Sequence, residues 1–163
     1  MIRIGITGGL GSGKSHICGI FLRLKIPVYT ADIEAKKLTD TDPEIRHEIT
    51  SAFGSELYTN NGVNRIRLAE IIFTDPSKLK KINAIIHPRV ASHFKLWCMQ
   101  HHNAPYVLHE SAIILESGVF RNFEKVITVY SPDEMRLHRV LQRPNMTREK
   151  ALAIMKNQLP DSE

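Results

Sequence analysis

The stretch GGLGSGKS, residues 8–15, follows the alternating apolar residues of MIRIGIT and precedes a segment with apolar residues at helical spacing. It matches the pattern GxxxxGK(S/T) in full, between a predicted strand and a predicted helix. Glycines without Cβ let the backbone wrap closely around a phosphate, so that amide N–H groups turn inward at the positive end of the helix. The sequence therefore predicts a loop that binds a polyphosphate.

The side chains of this loop add the groups that a nucleotide triphosphate requires. Lys14 supplies a full positive charge for the β and γ phosphates. The Ser15 hydroxyl suits the Mg²⁺ ion that bridges them. The predicted nucleotide-binding residues of the loop are Gly9, Leu10, Gly11, Ser12, Gly13, Lys14, Ser15 and His16.

Length and composition favour one compact folded domain, because 163 residues with 42% hydrophobic and 24% charged residues are ordinary for globular proteins. The net charge of +5 comes from Lys and Arg scattered among acidic residues, so a nucleic-acid partner is not expected. Cys18 and Cys98 have neither a disulfide nor a zinc spacing. The sequence contains no export signal and no membrane span, so a cytoplasmic protein without a membrane partner is expected.

Four short apolar segments predict strands: residues 2–7, the surroundings of Val28, residues 106–110 and residues 125–130. Helical patterns separate them, which predicts a parallel sheet with the first strand at its centre. The last segment is rich in β-branched residues and is expected to be covered on both faces. The predicted fold class is a three-layer α/β/α phosphate-loop fold.

Residues 41–103 are predicted to be mostly helical. Asp42 is a candidate N-cap, and Gly54 marks the end of the helix that it begins. Another helix is expected over residues 65–73, and a longer one follows that Pro88 should break or kink.

Near the end of the sequence, SPDE at residues 131–134 predicts a capping box and a helix that runs to about Gln142. Arg139 and Arg143 are four residues apart and are predicted to share a face of this helix, from which both could close over a triphosphate. Solvated surface arginines are the alternative. Thr147 is predicted to cap a last helix.

Two carboxylates follow predicted strands. Asp32 comes after the second strand, where it could take a proton from an acceptor hydroxyl or could cap the next helix. Glu110 ends the strand at residues 106–110, where it could hold Mg²⁺ or its water shell, or serve as an ordinary cap. His87, before Pro88, could face a cleft or occupy a plain turn.

Taken together, these motifs resemble the dephospho-coenzyme A kinase family from Met1 to the last predicted helix. The resemblance is carried by ITGGLGSGKS, ADIEAKKL, the FG pair at Phe53 and Gly54, GVNRIRLAEIIF, INAIIHPRV, an acid before SAIILE, and RLHRVLQR. It implies transfer of the γ-phosphoryl group of MgATP to the ribose 3′-hydroxyl of dephospho-coenzyme A, the last step of coenzyme A synthesis.

The resemblance also implies roles for individual residues. Asp32 is expected to be the catalytic base, assisted by Lys14 and Arg139. Arg65, His87 and Glu110 are expected to join Asp32 in binding the acceptor, with Glu110 also able to reach Mg²⁺ through water. Arg139 and Arg143 are expected to bind ATP from a mobile lid.

A single domain over residues 1–163 follows from the same resemblance. Its nucleotide-binding core is expected at residues 1–40 and 104–163, with the lid around residues 136–150. Residues 41–103 are expected to form a helical coenzyme A-binding subdomain. A monomer or weak homo-oligomer acting on small molecules is expected.

The sequence departs from the family pattern at TAD, where Thr30 replaces an acid, and at His16 after GKS. Family members usually continue beyond this length through a final strand and helix that enclose the adenine. Two alternatives follow: another small-metabolite or nucleoside monophosphate kinase, or an ATP-binding form without activity. A GTPase switch is disfavoured because the sequence contains neither DxxG nor NKxD.

Overall fold

The computed structural model describes residues 1–60, 62–73 and 75–159. They separate into two compact units: Met1–Thr30 with the described residues from His101 onward, and Ala31–Gln100. Within the described residues, no helix combines the length and the apolar character needed to cross a membrane.

Both units are built from short strands and helices. In chain order these are β1 (Ile2–Thr7), α1 (Lys14–Arg23), β2 (Val28–Thr30), α2 (Ala31–Thr41), α3 (Pro43–Phe53), β3 (Tyr58–Thr59), β4 (Gly62–Val63), α4 (Arg65–Phe73), α5 (Pro76–Gln100), β5 (Tyr106–Glu110), β6 (Lys125–Thr128), α6 (Asp133–Leu141) and α7 (Arg148–Lys156).

The first unit contains the predicted parallel sheet, with strand order β2-β5-β1-β6 and β1 inside it. Every neighbouring pair in this sheet is parallel, which confirms the predicted α/β class. Ile6 of β1 pairs with Glu110 of β5, and Glu110 pairs with Thr30 of β2. The carboxyl ends of these strands therefore lie level with one another at the edge where the glycine-rich loop begins.

The expectation that β6 is covered on both faces is wrong. Lys125, Ile127 and Thr128 are exposed. In the part of the chain that the structure describes, β6 pairs with β1 on one side and with no strand on the other. β-Branched residues favour the extended backbone of any strand, and they do not indicate whether another element covers it.

Strand β5 carries a buried histidine into the middle of the sheet. His109 is 8% exposed and stacks on Tyr29, with ring centroids 5.3 Å apart, while the Phe123 ring centroid lies 5.0 Å away. Burial lowers the pKa of His109 from 6.5 to about 4. The folded state therefore favours the neutral imidazole, and its stability decreases as the pH falls from about 6.5 towards 4.

This shift predicts an acid-sensitive component of stability. Between pH 7 and pH 5, protonation of His109 in the unfolded chain should lower the free energy of unfolding by about 2 kcal/mol. Chemical denaturation at the two pH values measures the free energy of unfolding. Its decrease from pH 7 to pH 5 should be smaller by that amount in His109→Phe, which keeps the aromatic contacts, than in the wild-type protein. Equal drops in the two proteins would contradict burial of a neutral imidazole.

The second unit packs its helices around an apolar core. Its buried members are Ile45, Ile49, Leu57, Tyr58, Val63, Ile82 and Ile85. As predicted, α3 begins after Asp42, whose carboxylate accepts N–H bonds from Glu44 at 2.9 Å and Ile45 at 3.1 Å, and it ends at Gly54. The short antiparallel hairpin of β3 and β4 was not predicted.

Pro88 does not break the long helix, because α5 runs through it from Pro76 to Gln100. The kink that was the other expected effect of Pro88 stays a prediction. Residues on both sides of Pro88 are buried, among them Ile85 and Val90, so packing holds the two halves together. Pro88 and Ala84 are both exposed. Water can therefore bond the Ala84 carbonyl that loses its helical N–H partner.

Candidate active site

The glycine-rich loop connects the end of β1 at Thr7 to the start of α1 at Lys14. Gly8, Gly11 and Gly13 have φ values of 144°, 78° and 103°, which other residues rarely adopt. A Cβ atom on Gly8 would also lie 2.2 Å from the carbonyl oxygen of Val129. The backbone just beyond β6 therefore requires glycine where the loop begins.

Lys14 lies against this loop. Its side chain is buried, and its Nζ donates to the carbonyl oxygens of Gly8 at 2.5 Å and Gly9 at 3.2 Å. The ammonium charge is thus held over the first half of the loop, at the positive end of α1. Ser15 and His16 follow in the first turn of α1, and both are exposed.

A buried carboxylate, Glu110, and the Lys14 ammonium act electrostatically on the same cysteine. Glu110 is 7% exposed at the carboxyl end of β5. Burial, followed by the charge of Glu110, raises the pKa of the buried Cys18 thiol to about 11, while Lys14 opposes the shift. Both charges therefore act on one thiol in the first turns of α1.

Ser15 and Glu110 carry oxygen donors of the kind that a hydrated magnesium ion prefers. Mg²⁺ prefers oxygen ligands and usually retains several waters, so one or two protein oxygens beside substrate phosphates suffice. Among the residues that the structure describes, no group of three or more His, Cys, Asp or Glu side chains could hold a metal by itself. The chemistry of the donors thus suits a metal that arrives with a nucleotide.

Arg139 of α6 contacts the same loop. Its Nη1 lies 3.4 Å from the carbonyl oxygens of Gly11 and Ser12, and it donates to the Ser131 hydroxyl at 3.2 Å. Ser131 therefore binds an arginine, and the predicted capping box is wrong, since α6 begins after Pro132 without a side-chain cap.

Arg143 does not share a helical face with Arg139, contrary to the prediction. Helix α6 ends at Leu141, and Arg143 is exposed in the following turn, where its N–H bonds the Val140 carbonyl at 3.0 Å. The helix that follows is capped by Thr147, as predicted, because the Thr147 hydroxyl accepts the N–H of Lys150 at 3.3 Å.

Two residues at the loop were not predicted from the sequence as site residues. Arg136 donates from Nε to the Leu10 carbonyl at 3.0 Å, and Gln158 accepts the Leu10 N–H at 2.7 Å. The spacing of Arg136 and Arg139 on one helix was an available signal, because residues three apart face the same way. No sequence pattern distinguishes Gln158.

In the second unit, Asp32 is the second residue of α2 and is exposed. Helix α2 begins at Ala31, so Asp32 lies within its first turn and not at the cap position. Its negative charge there is favoured by the helix dipole. The carboxylate is therefore presented to solvent two residues after β2 ends.

Arg65 of α4 is tied to α2. Its Nη2 donates to Asp40 Oδ2 at 2.5 Å and to the Lys36 carbonyl at 3.3 Å. Asp40 Oδ1 also accepts the Val63 N–H at 3.1 Å. Asp40 lies about 12 Å along α2 from Asp32. The structure thus places Arg65 beside the helix that carries Asp32.

His87 lies in the middle of α5 and is exposed. Desolvation by neighbouring groups lowers its pKa below 6.5. The imidazole is therefore neutral at pH 7, when it can accept or donate a hydrogen bond. Its assignment to acceptor binding, beside Asp32 and Arg65, stays a prediction.

Comparison with known proteins identifies the family. The family model described as dephospho-CoA kinase matches residues 2–163. A dephospho-CoA kinase from Porphyromonas gingivalis is 42% identical over 149 residues, 91% of this chain and 73% of that protein. One from Bacteroides fragilis is 37% identical over 162 residues, 99% of this chain and 79% of that protein. A crystal structure from Thermus thermophilus matches with a TM-score of 0.86 at 30% identity, covering 99% of this chain and 82% of that one. The resemblance found in the sequence is confirmed, and the chain belongs to the dephospho-CoA kinase family.

Proposed function

We propose that this protein transfers the γ-phosphoryl group of ATP to the ribose 3′-hydroxyl of dephospho-coenzyme A, giving coenzyme A and ADP. A bond forms between the 3′ oxygen and the γ phosphorus, and the bond from that phosphorus to the ADP oxygen breaks. The observation that carries the proposal is the glycine-rich loop with Lys14 held over it, in a chain of this family.

The loop and Lys14 hold the triphosphate. Backbone N–H groups at the start of α1 would donate to phosphate oxygens, and the helix dipole would add to their attraction. Lys14 exchanges its bonds to the Gly8 and Gly9 carbonyls for bonds to phosphate oxygens. A magnesium ion held by Ser15, and by Glu110 through water, would neutralise charge on the phosphates.

Asp32 acts on the acceptor. Its carboxylate orients the 3′-hydroxyl and takes its proton as the oxygen attacks. Arg65 supplies a positive charge for the anionic groups of dephospho-coenzyme A, and His87 supplies a neutral hydrogen-bonding group. A hydroxyl that is both oriented and deprotonated reacts in preference to a randomly placed water molecule.

The lid, around residues 136–150, contributes Arg139 and Arg143. Arg139 already contacts the loop through the carbonyl oxygens of Gly11 and Ser12, and in the proposed mechanism its guanidinium moves to the γ phosphate when the lid closes. Closure of such a segment removes water that would compete with the acceptor. The partners are then small molecules, and we place the reaction in the cytoplasm, by a monomer or weak homo-oligomer.

Coupled measurement of ADP release tests this function. MgATP is combined with dephospho-coenzyme A, AMP, a nucleoside or no acceptor, and product is verified by mass. Of these acceptors, only dephospho-coenzyme A should accelerate ADP release. Faster release with AMP or a nucleoside would instead assign a different kinase activity, and release that no acceptor accelerates would indicate an ATP-binding form without transfer.

Asp40 should influence the acceptor through Arg65. In Asp40→Asn the Val63 N–H keeps its acceptor, whereas Arg65 loses a charged partner at 2.5 Å. The Michaelis constant for dephospho-coenzyme A should rise about fivefold, which corresponds to ~1 kcal/mol, the upper end of the range for a partly exposed ion pair with good geometry. Steady-state kinetics should show little change in the Michaelis constant for MgATP.

Glu56→Gln provides the control for Asp40→Asn. Glu56 pairs with Arg67 at 3.9 Å on the surface of the same unit, where such pairs contribute little. Its kinetic constants should stay within about twofold of the wild-type values. If Asp40→Asn leaves the Michaelis constant for dephospho-coenzyme A unchanged, Arg65 does not need the Asp40 carboxylate to bind the acceptor.

A further inference from the structure

Leu10, in the first half of the phosphate loop, is held at both of its backbone polar groups by side chains from outside the loop. Its N–H donates to Gln158 Oε1 at 2.7 Å, and its carbonyl accepts from Arg136 Nε at 3.0 Å. Gln158 lies just beyond α7, and Arg136 lies in the first turn of α6. We call Arg136 and Gln158 together the loop clasp.

Within the clasp, Arg136 is buried, Gln158 is half-buried, and the two side chains contact each other. Arg136 is 5% exposed, and its Nη1 donates to Asp133 at 3.0 Å while its Nη2 lies 3.4 Å from Gln158 Oε1. A buried guanidinium is tolerated only when its N–H groups are satisfied. One Gln158 oxygen therefore contacts both Leu10 and the arginine that holds Leu10.

The glycines of the loop fit the clasp closely. A Cβ atom on Gly9 would lie 1.9 Å from Nη2 of Arg136, and one on Gly11 would lie 2.5 Å from the Arg136 carbonyl oxygen. Gly9 has no positive φ that would require glycine by itself. Its lack of a side chain is therefore needed for the approach of Arg136.

A loop with several glycines loses much conformational entropy when it closes around a phosphate. Contacts that fix the loop before the nucleotide arrives reduce that loss and so raise affinity. The clasp makes such contacts at Leu10, and both ends of the segment from Arg136 to Gln158 attach to this one residue.

We propose that Arg136 and Gln158 are positioning residues that preorganise the phosphate loop, and that they raise MgATP affinity through Leu10 without touching the nucleotide. The proposal rests on the proposed function for the identity of the nucleotide. The test measures equilibrium binding of MgATP without acceptor. A protein that transfers no phosphoryl group can still show whether Arg136 and Gln158 raise MgATP affinity, so the two proposals can fail independently.

Gln158 offers a matched pair of variants. Gln158→Met keeps the length of the side chain and removes the acceptor, and calorimetry should show MgATP binding about tenfold weaker. Gln158→Glu keeps an acceptor oxygen for Leu10 and for Arg136, and it should bind within about threefold of wild type. The Michaelis constant for dephospho-coenzyme A should change little in either. Arg121→Ala, at an exposed arginine, serves as the control.

A double-mutant cycle tests the contact with Gly9. Gly9→Ala should displace the Arg136 guanidinium and weaken MgATP binding about tenfold, and Arg136→Ala should do the same by removing it. Because both changes release the same clasp, the double variant should be about tenfold weaker, not a hundredfold.

Several results would overturn the proposal. Additive effects in the cycle would show that Gly9 and Arg136 act separately. MgATP binding that is weakened equally in Gln158→Met and Gln158→Glu would indicate a general structural role. The same conclusion would follow if the Michaelis constant for dephospho-coenzyme A rose as much as the dissociation constant for MgATP. If Arg136→Ala does not fold, unchanged MgATP affinity in the folded Gln158→Met protein would be sufficient to reject the clasp.

Discussion

Replacing Asp32 by Asn should lower kcat by about 10²-fold to 10⁴-fold, the range that a general base contributes. The amide keeps the size and polarity of the side chain but cannot accept the proton that the 3′-hydroxyl must release. MgATP should bind normally, because the proposed mechanism assigns its contacts to Lys14 and the loop and not to Asp32. Calorimetry for binding and coupled ADP release for turnover measure the two effects separately.

Asp42→Asn is the matched control for this prediction. Asp42 makes N-cap bonds to the N–H groups of Glu44 and Ile45, and asparagine caps a helix about as well as aspartate. Its turnover should match the wild-type value. An Asp32→Asn protein with turnover within about twofold of wild type would exclude the base, since the smallest general-base contribution is about a hundredfold.

Much of the fold follows from local signals in the sequence. The boundaries of α4 at Arg65 and Phe73 and of β5 at Tyr106 and Glu110 were predicted correctly, as was the N-cap at Asp42. Caps, glycines and apolar periodicity act within a few residues of where they occur. The parallel order of the strands follows because helices separate them.

The predictions that failed depended on distant contacts. Pro88 lies within a continuous helix because buried residues on both sides hold the helix together. Ser131 binds Arg139 eight residues away and not the N-terminus of the adjoining helix. The exposure of the two faces of β6 depends on which elements pack above and below the sheet, and that is a property of the whole fold.

The candidate site also contains residues that a local motif predicts and residues that reach the site from distant positions in the sequence. Residues within the GxxxxGK(S/T) motif could be predicted from the sequence because the motif combines close backbone approach, charge and a hydroxyl in one short segment. Arg136 and Gln158 act on that segment from 126 and 148 positions away. An arginine on a helix and a glutamine after one have many surface roles, so their common contact with Leu10 depends on the three-dimensional fold and has no local sequence signal.

Arg139 is the second residue with a large expected effect. In this structure its guanidinium bonds carbonyl oxygens of Gly11 and Ser12 and the Ser131 hydroxyl. These are neutral acceptors, and a phosphate oxygen that carries negative charge competes with them effectively because charge-assisted hydrogen bonds are stronger. As the γ-phosphoryl group moves, charge spreads over its oxygens, and a guanidinium stabilises that state more than the bound substrate.

Arg139→Met should therefore lower kcat about 10³-fold, at the lower end of the range for arginines that stabilise phosphoryl transfer. Arg139→Lys should recover only part of this loss, since an ammonium keeps the charge and lacks the planar fork that bonds two oxygens. Single-turnover kinetics at saturating MgATP and dephospho-coenzyme A isolate the chemical step from binding. The exposed Arg121→Ala protein should turn over at the wild-type rate. A kcat reduced less than about tenfold in Arg139→Met would restrict Arg139 to its contacts with the loop and would require another cation to stabilise the transferred phosphate.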